Sequence, residues 1–194
     1  MMAESNNTKT SDIFLYLRIN SGVIKPILVK KYTSMGNSKI KPEARTEALT
    51  KAGDQSYLLK LARELDDAIL HLRLNEMELG LWVIRTQGNP ELVLAHEAAL
   101  LSIKDHWLAN EILQLWKRVL KRLDVTSRSI IAIVEHGSCF AGTLAEILWA
   151  ADRSYMMLDE FEGDERPIAK LKLSEANFGQ YPMANDLTRI QTRF

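Results

Sequence analysis

"EHGSCFAGTLAEILWAADRS", residues 135–154, interrupts one apolar run and begins another. The run before it, Ile130-Ile131-Ala132-Ile133-Val134, is short, rich in β-branched residues and closed by Glu135-His136-Gly137, and so reads as a buried strand. After it, Leu144, Ile147, Leu148 and Ala151 recur at helical spacing. Between the two lie small residues and the single cysteine of the chain, Cys139. A loop of this kind ends on helix N–H groups that have no intrahelical acceptor, and the helix dipole adds partial positive charge there. An oxyanion or phosphate against Gly142 and Thr143 is one reading. The other is that Gly137 and Gly142 simply permit a tight turn.

The flanking sequence sets this unit in an alternating α/β order. Upstream, "LGLWVIR" (79–85) reads as a second buried strand, and Asn89-Pro90 as a cap followed by proline in the first helical turn. Helical spacing then runs to about Leu123 with a break near Lys104-Asp105. Its second part places Trp107, Ile112, Leu115, Trp116, Val119 and Leu123 on an inner face. Before "LGLWVIR", Ser56 caps a helix with Leu58, Leu61, Leu65, Ile69 and Leu72 inward. Further back, "IFLYLRI" (13–19) and "VIKPILV" (23–29) flank a hairpin turn at Asn20-Ser21-Gly22, with Pro26 restricting the second run to an edge or a bulge. Residues 30–54 show no sustained period and read as a linker or loop. Downstream, "SYMML" (154–158) and "AKLKL" (169–173) read as short strands around an acidic surface loop, and "LTRIQTRF" starts a helix. Two parts follow: an N-terminal segment, 1–54, and an α/β domain, 55–194.

Composition narrows the function classes. Among 194 residues, 46% are hydrophobic and 26% charged, with Lys+Arg and Asp+Glu equal at 25 each. No global basic field therefore invites nucleic acid or an anionic membrane. No apolar run has the length of a membrane span, "MMAESNNTKT" lacks the apolar centre of a signal peptide, and one cysteine suits a reducing compartment. The expectation is a cytoplasmic protein.

The titratable residues are read conservatively. Glu146 falls one turn into the helix after the small-residue loop, among apolar neighbours. Partial burial would raise its pKa and suit it to acid–base work, while a capping role on a solvated face is an equal alternative. Cys139 has only His136 nearby in sequence as a base and is read as packing. His96-Glu97 and Asp105-His106 are read as helix-surface pairs, Trp107 and Trp116 as core. The four histidines show no ligand spacing, which argues against a zinc site.

Taken together, Gly137, Ala141-Gly142-Thr143, Glu146 and Asp152, followed by Glu175, Gly179, Pro182 and "LTRI", resemble the signature of the crotonase (enoyl-CoA hydratase/isomerase) superfamily. The stretches 62–88, 107–157 and 172–194 are similar, more specifically, to a longer branch of it with two crotonase-like units, which opens aromatic-derived rings on CoA thioesters in aerobic benzoate degradation. The resemblance covers about 57–194. It implies an incomplete spiral of β-β-α units and a CoA thioester substrate, with Gly142 and Thr143 holding the thioester oxygen. Glu146 and Glu175 would be the catalytic carboxylates, at one cleft. No metal or redox cofactor is implied; coenzyme A comes with the substrate. The partner implied is an N-terminal crotonase-like half outside this chain, or further copies in a homo-oligomer.

The chain departs from the pattern in one place. Where the family carries an alanine-glycine motif for its first oxyanion donor, residues 90–101 read "PELVLAHEAALL", without glycine. A helix there would commit its N–H groups to its own carbonyls. Three hypotheses follow: a catalytic segment of a ring-opening lyase, a crotonase-like scaffold repeat, and an enoyl-CoA hydratase-like protein.

Overall fold

The computed structural model describes residues 13–19, 24–29, 42–158, 166 and 168–194. The N-terminal residues, the Asn20-Ser21-Gly22 turn, residues 30–41 of the expected linker and nearly all of the acidic loop lie outside the described residues.

Residues alternate strictly in the two central strands. In β3 (Leu81–Gln87), Trp82, Ile84 and Thr86 are buried; in β4 (Ser129–Val134), Ile130, Ala132 and Val134 are. The residues between them are only partly covered, so the sheet turns one face to the main core. The strands pair in parallel, Leu81 with Ser129 through Arg85 with Ile133, as a helical connection of this length between two strands of one sheet requires. Parallel pairing needs a long crossover. It is supplied by α3 (Pro90–Leu101) and α4 (Trp107–Asp124), broken at 102–106.

β5 (Arg153–Met156) extends the parallel set beyond β4, after α5 (Ala145–Ala150). On the other side β1 (Ile13–Ile19) lies antiparallel to β3 and to β2 (Ile24–Val29). The order is β2-β1-β3-β4-β5, so the hairpin shares one sheet with the later strands, and Pro26 sits on the edge strand opposite Tyr16. The architecture is α/β, a mixed sheet with a parallel half.

The helical layer forms where apolar residues recur every three to four positions. α2 (Tyr57–Leu74) buries Leu58, Leu61, Leu65, Ile69 and Leu72 against α4, which buries Ile112, Trp116, Val119 and Leu123. Trp116 Nε1 donates to the Leu58 carbonyl at 3.1 Å, so the largest side chain at this contact buries its polar atom with a partner.

Five local expectations are corrected. Residues 42–52 form a helix, α1 (Pro42–Ala52), inside the stretch read as linker. Proline opens it, and good helix formers compensate for the missing apolar period. Ser56 precedes α2 at the N-cap position, but its side chain makes no capping bond; it is buried. Trp107 is 66% exposed, because it is the first residue of α4 and projects before the helix reaches the core. "AKLKL" forms no strand: Lys172 makes one isolated parallel bridge to Ala141, and the chain opposite then curls into a 3-10 turn. His96 and Glu97 are buried, 5% and 2% exposed, where surface pairs were expected. α3 is apolar nearly all round, so spacing alone did not mark its inner face.

Candidate functional site

The loop after β4 folds back beneath the end of β3. Gly137 turns it with φ of 76°, a conformation open to glycine, and its carbonyl accepts from Gly88 N–H at 2.9 Å. Ser138 closes the turn through its hydroxyl, which accepts from Glu135 N–H, and Cys139 N–H donates to Thr86 Oγ1 at 3.0 Å. Small residues suit this loop because several of its backbone groups bond to other chain segments: the Gly137 carbonyl to Gly88, the Cys139 N–H to Thr86 and the Phe140 carbonyl to Lys172. Cys139 is fully buried, and burial pushes its thiol up to about 12 despite the Thr86 contact. A thiol held protonated is no nucleophile at neutral pH, in keeping with a packing role.

Gly142–Leu144 then form a 3-10 turn that leads directly into α5. Gly142 has φ of 47°, and a Cβ on it would lie 2.6–2.8 Å from the Glu97 carboxyl group. Its N–H donates to the Lys172 carbonyl at 3.1 Å, and its own carbonyl accepts from Asn177 Nδ2 at 2.9 Å. Thr143, 1% exposed, donates from Oγ1 to Glu97 Oε2 at 2.6 Å and lies 2.9 Å from the Tyr181 hydroxyl. The threonine has a single hydroxyl proton, already given to Glu97, so the tyrosine must be the donor in the second bond. The order is Tyr181 to Thr143 to Glu97. Burial raises the Tyr181 phenol far above its usual range, the Thr143 bond opposes this, and the Glu97 and Glu146 charges add to it.

Glu146 lies across the turn and is 1% exposed. Its Oε1 accepts from Asn177 Nδ2 at 2.6 Å and its Oε2 from Arg189 Nη1 at 2.9 Å. Arg189, equally buried, also donates to the Tyr181 carbonyl and grips Asp124 bidentately through Nε (2.9 Å) and Nη2 (2.7 Å). Burial shifts the Glu146 carboxyl above the ordinary range; the Asn177 and Arg189 contacts pull it down and Asp124 pushes it up. Arg189 opens α6 (Arg189–Arg193), capped by Thr188, and Asp124 ends α4, so one guanidinium joins α4, α5 and α6.

Of the residues singled out in the sequence, Gly142, Thr143 and Glu146 come together. Glu175 opens the 3-10 turn Glu175–Phe178 and is exposed; the residue of that turn that reaches Glu146 is Asn177. Asp152, the other carboxylate of the motif, accepts from Ile130 N–H at 2.7 Å and so ties the start of β5 to β4. Sequence reasoning missed Glu97, Asn177, Tyr181 and Arg189. Asn177 left only a faint signal: it stands three residues after Ser174, at the spacing of the capping box it forms, but where Glu or Gln is the usual residue. The others left none, because a charge or hydroxyl among apolar residues reads equally as surface. Among the described residues, no three His, Cys, Asp or Glu side chains gather as metal ligands, and no helix is long and apolar enough to cross a membrane.

No known family model matches the chain. Over 152 residues it is 48% identical to benzoyl-CoA-dihydrodiol lyase of Aromatoleum evansii, a stretch that is 78% of this chain and 26% of that protein. The chain thus spans about a quarter of the length of the curated relative it matches.

Proposed function

We propose that the chain is a segment of a ring-opening lyase acting on a benzoate-derived CoA thioester, and that it serves there as a crotonase-like scaffold unit. The identity of 48% over 152 residues carries the lyase half of this reading. The reaction implied is conversion of 2,3-epoxybenzoyl-CoA to 3,4-dehydroadipyl-CoA semialdehyde and formate. In this reading the parallel strands and their helices form part of a spiral of β-β-α units completed by sequence outside the chain. The partner is the remainder of the lyase, and the substrate brings its own coenzyme A.

The scaffold half rests on the commitments around the turn. A catalytic unit would use backbone donors at Gly142 and Thr143 against the thioester oxygen, with Glu146 and Glu175 handling water and protons. Here the Gly142 N–H is bonded to Lys172, Glu146 is bonded to Asn177 and Arg189, and Glu175 lies outside on the surface. Residues 90–101 are the helix α3, whose interior N–H groups serve its own ladder. Losing one oxyanion donor costs on the order of a hundred- to a thousandfold in rate; helix α3 withholds the first, and the Gly142 N–H is already taken by Lys172.

Two measurements test the two halves separately. The isolated chain, given 2,3-epoxybenzoyl-CoA, should release no formate above the uncatalysed rate. Turnover comparable with the Aromatoleum evansii lyase would end the scaffold reading. Replacing the matching stretch of that lyase by this chain's residues should preserve formate release, and a folded but inactive chimera would end the lyase reading.

A further inference from the structure

We infer that Glu97 is the resident ligand of the Gly142–Thr143 turn: its carboxyl group packs on Gly142 and takes the Thr143 hydroxyl, and so bolts α3 to the turn and, through Tyr181, to the C-terminal segment. Three observations converge. The carboxyl group of Glu97 lies so close to the Gly142 Cα that an added methyl would sit 2.6–2.8 Å from three of its atoms. The Thr143 hydroxyl donates to it at 2.6 Å, and Tyr181 continues that chain. Glu97 is 2% exposed although it sits on a helix whose other charged residue, Glu91, is exposed.

Seated there, the Glu97 carboxyl group holds α3 against the turn through the Thr143 hydroxyl. It also explains why position 142 is glycine beyond the positive φ. The neighbour is the end of a side chain, but one that cannot swing aside without breaking the Thr143 bond and entering a packed interior. The inference stands on this chain's own geometry, so it survives or fails independently of the lyase reading.

The experiment is chemical rescue of the full 194-residue chain, read as the urea midpoint. Glu97→Ala empties a carboxylate-sized space beside the Thr143 hydroxyl and should lower the midpoint. Added acetate should then restore most of that loss, while the same concentration of chloride should not, and acetate should leave the parent chain and Glu97→Gln unchanged. Acetate acting equally on all three proteins, or not at all on Glu97→Ala, would overturn the inference. Should Glu97→Ala fail to fold, refolding that requires acetate supports the inference, and refolding in neither salt counts against it. A second measurement needs only the milder Glu97→Ser and Gly142→Ala. Gly142→Ala should lower the midpoint clearly less in the Glu97→Ser background than in the parent, because only the backbone strain remains. Equal losses in both backgrounds would mean that the carboxylate does not press on the glycine, and the inference would fall.

Discussion

Glu97 and Glu146 flank the same turn, one from α3 and one from α5, and they are 2% and 1% exposed. Glu146 faces a guanidinium and an amide; the named partners of Glu97 are a hydroxyl and, behind it, a phenol. The first arrangement links three helices through one cation shared with Asp124. The second relies on a directional chain of hydroxyl protons, with the carboxylate packed on a glycine. Equal burial therefore says little about how a charge is compensated. The two sides should answer differently to mutation: an ion-paired carboxylate depends on its cation, whereas a hydroxyl-bound one depends on geometry.

The largest expected effect is loss of that cation. Arg189→Met leaves Glu146 and Asp124 buried without their partner, and breaking a buried pair from one side costs about 3–5 kcal/mol. Urea unfolding should show this, and adding Glu146→Gln to the same protein should recover part of it by removing one bare charge. If Arg189→Met costs no more than Thr143→Val, the two sides do not differ as described.

Thr143→Val ranks next. The shape is kept, but the Tyr181 hydroxyl and Glu97 Oε2 each lose a partner, at a cost of about 1–3 kcal/mol. The loss should be smaller in a chain that already carries Tyr181→Phe, where only the carboxylate remains to be satisfied.

A pH series reads Glu146 itself. Burial raises its carboxyl in the fold above the ordinary value of 4.5, so the folded chain binds this proton more tightly than the unfolded one. Its contribution to stability is fully present below that value. It falls as pH rises from there through the raised value, and is flat above it. For one proton the slope cannot exceed about 1.4 kcal/mol per pH unit. The difference in stability between the parent and Glu146→Gln should change across that window alone; a flat difference would mean that the Asn177 and Arg189 contacts cancel burial, and a rise with pH below 4.5 that they outweigh it.

Glu175→Gln should have the smallest effect, within about 0.5 kcal/mol, since an exposed carboxylate away from the core changes little. A clear loss of stability would mean that Glu175 belongs to the buried network with Asn177.

What the sequence by itself determined is the part ruled by local period. Trp82, Ile84, Ile130, Ala132 and Val134 alternate, and Leu58 to Leu72 and Ile112 to Leu123 repeat at helical spacing, so strands, helices and the parallel pairing between them were legible. Burial of apolar surface depends on spacing within one element, and spacing is written along the chain. Helix α1 was not legible, because it lacks an apolar stripe and forms on propensity and a proline start. The occupancy of the turn was decided only in three dimensions. Glu97 meets Thr143 across 46 positions, Arg189 meets Glu146 across 43 and Asp124 across 65. A carboxylate on a helix has the same local pattern whether it meets water, arginine or a threonine hydroxyl. Desolvation and hydrogen bonding depend on which distant groups the packed helices bring within about 3 Å, and no period along the chain encodes that.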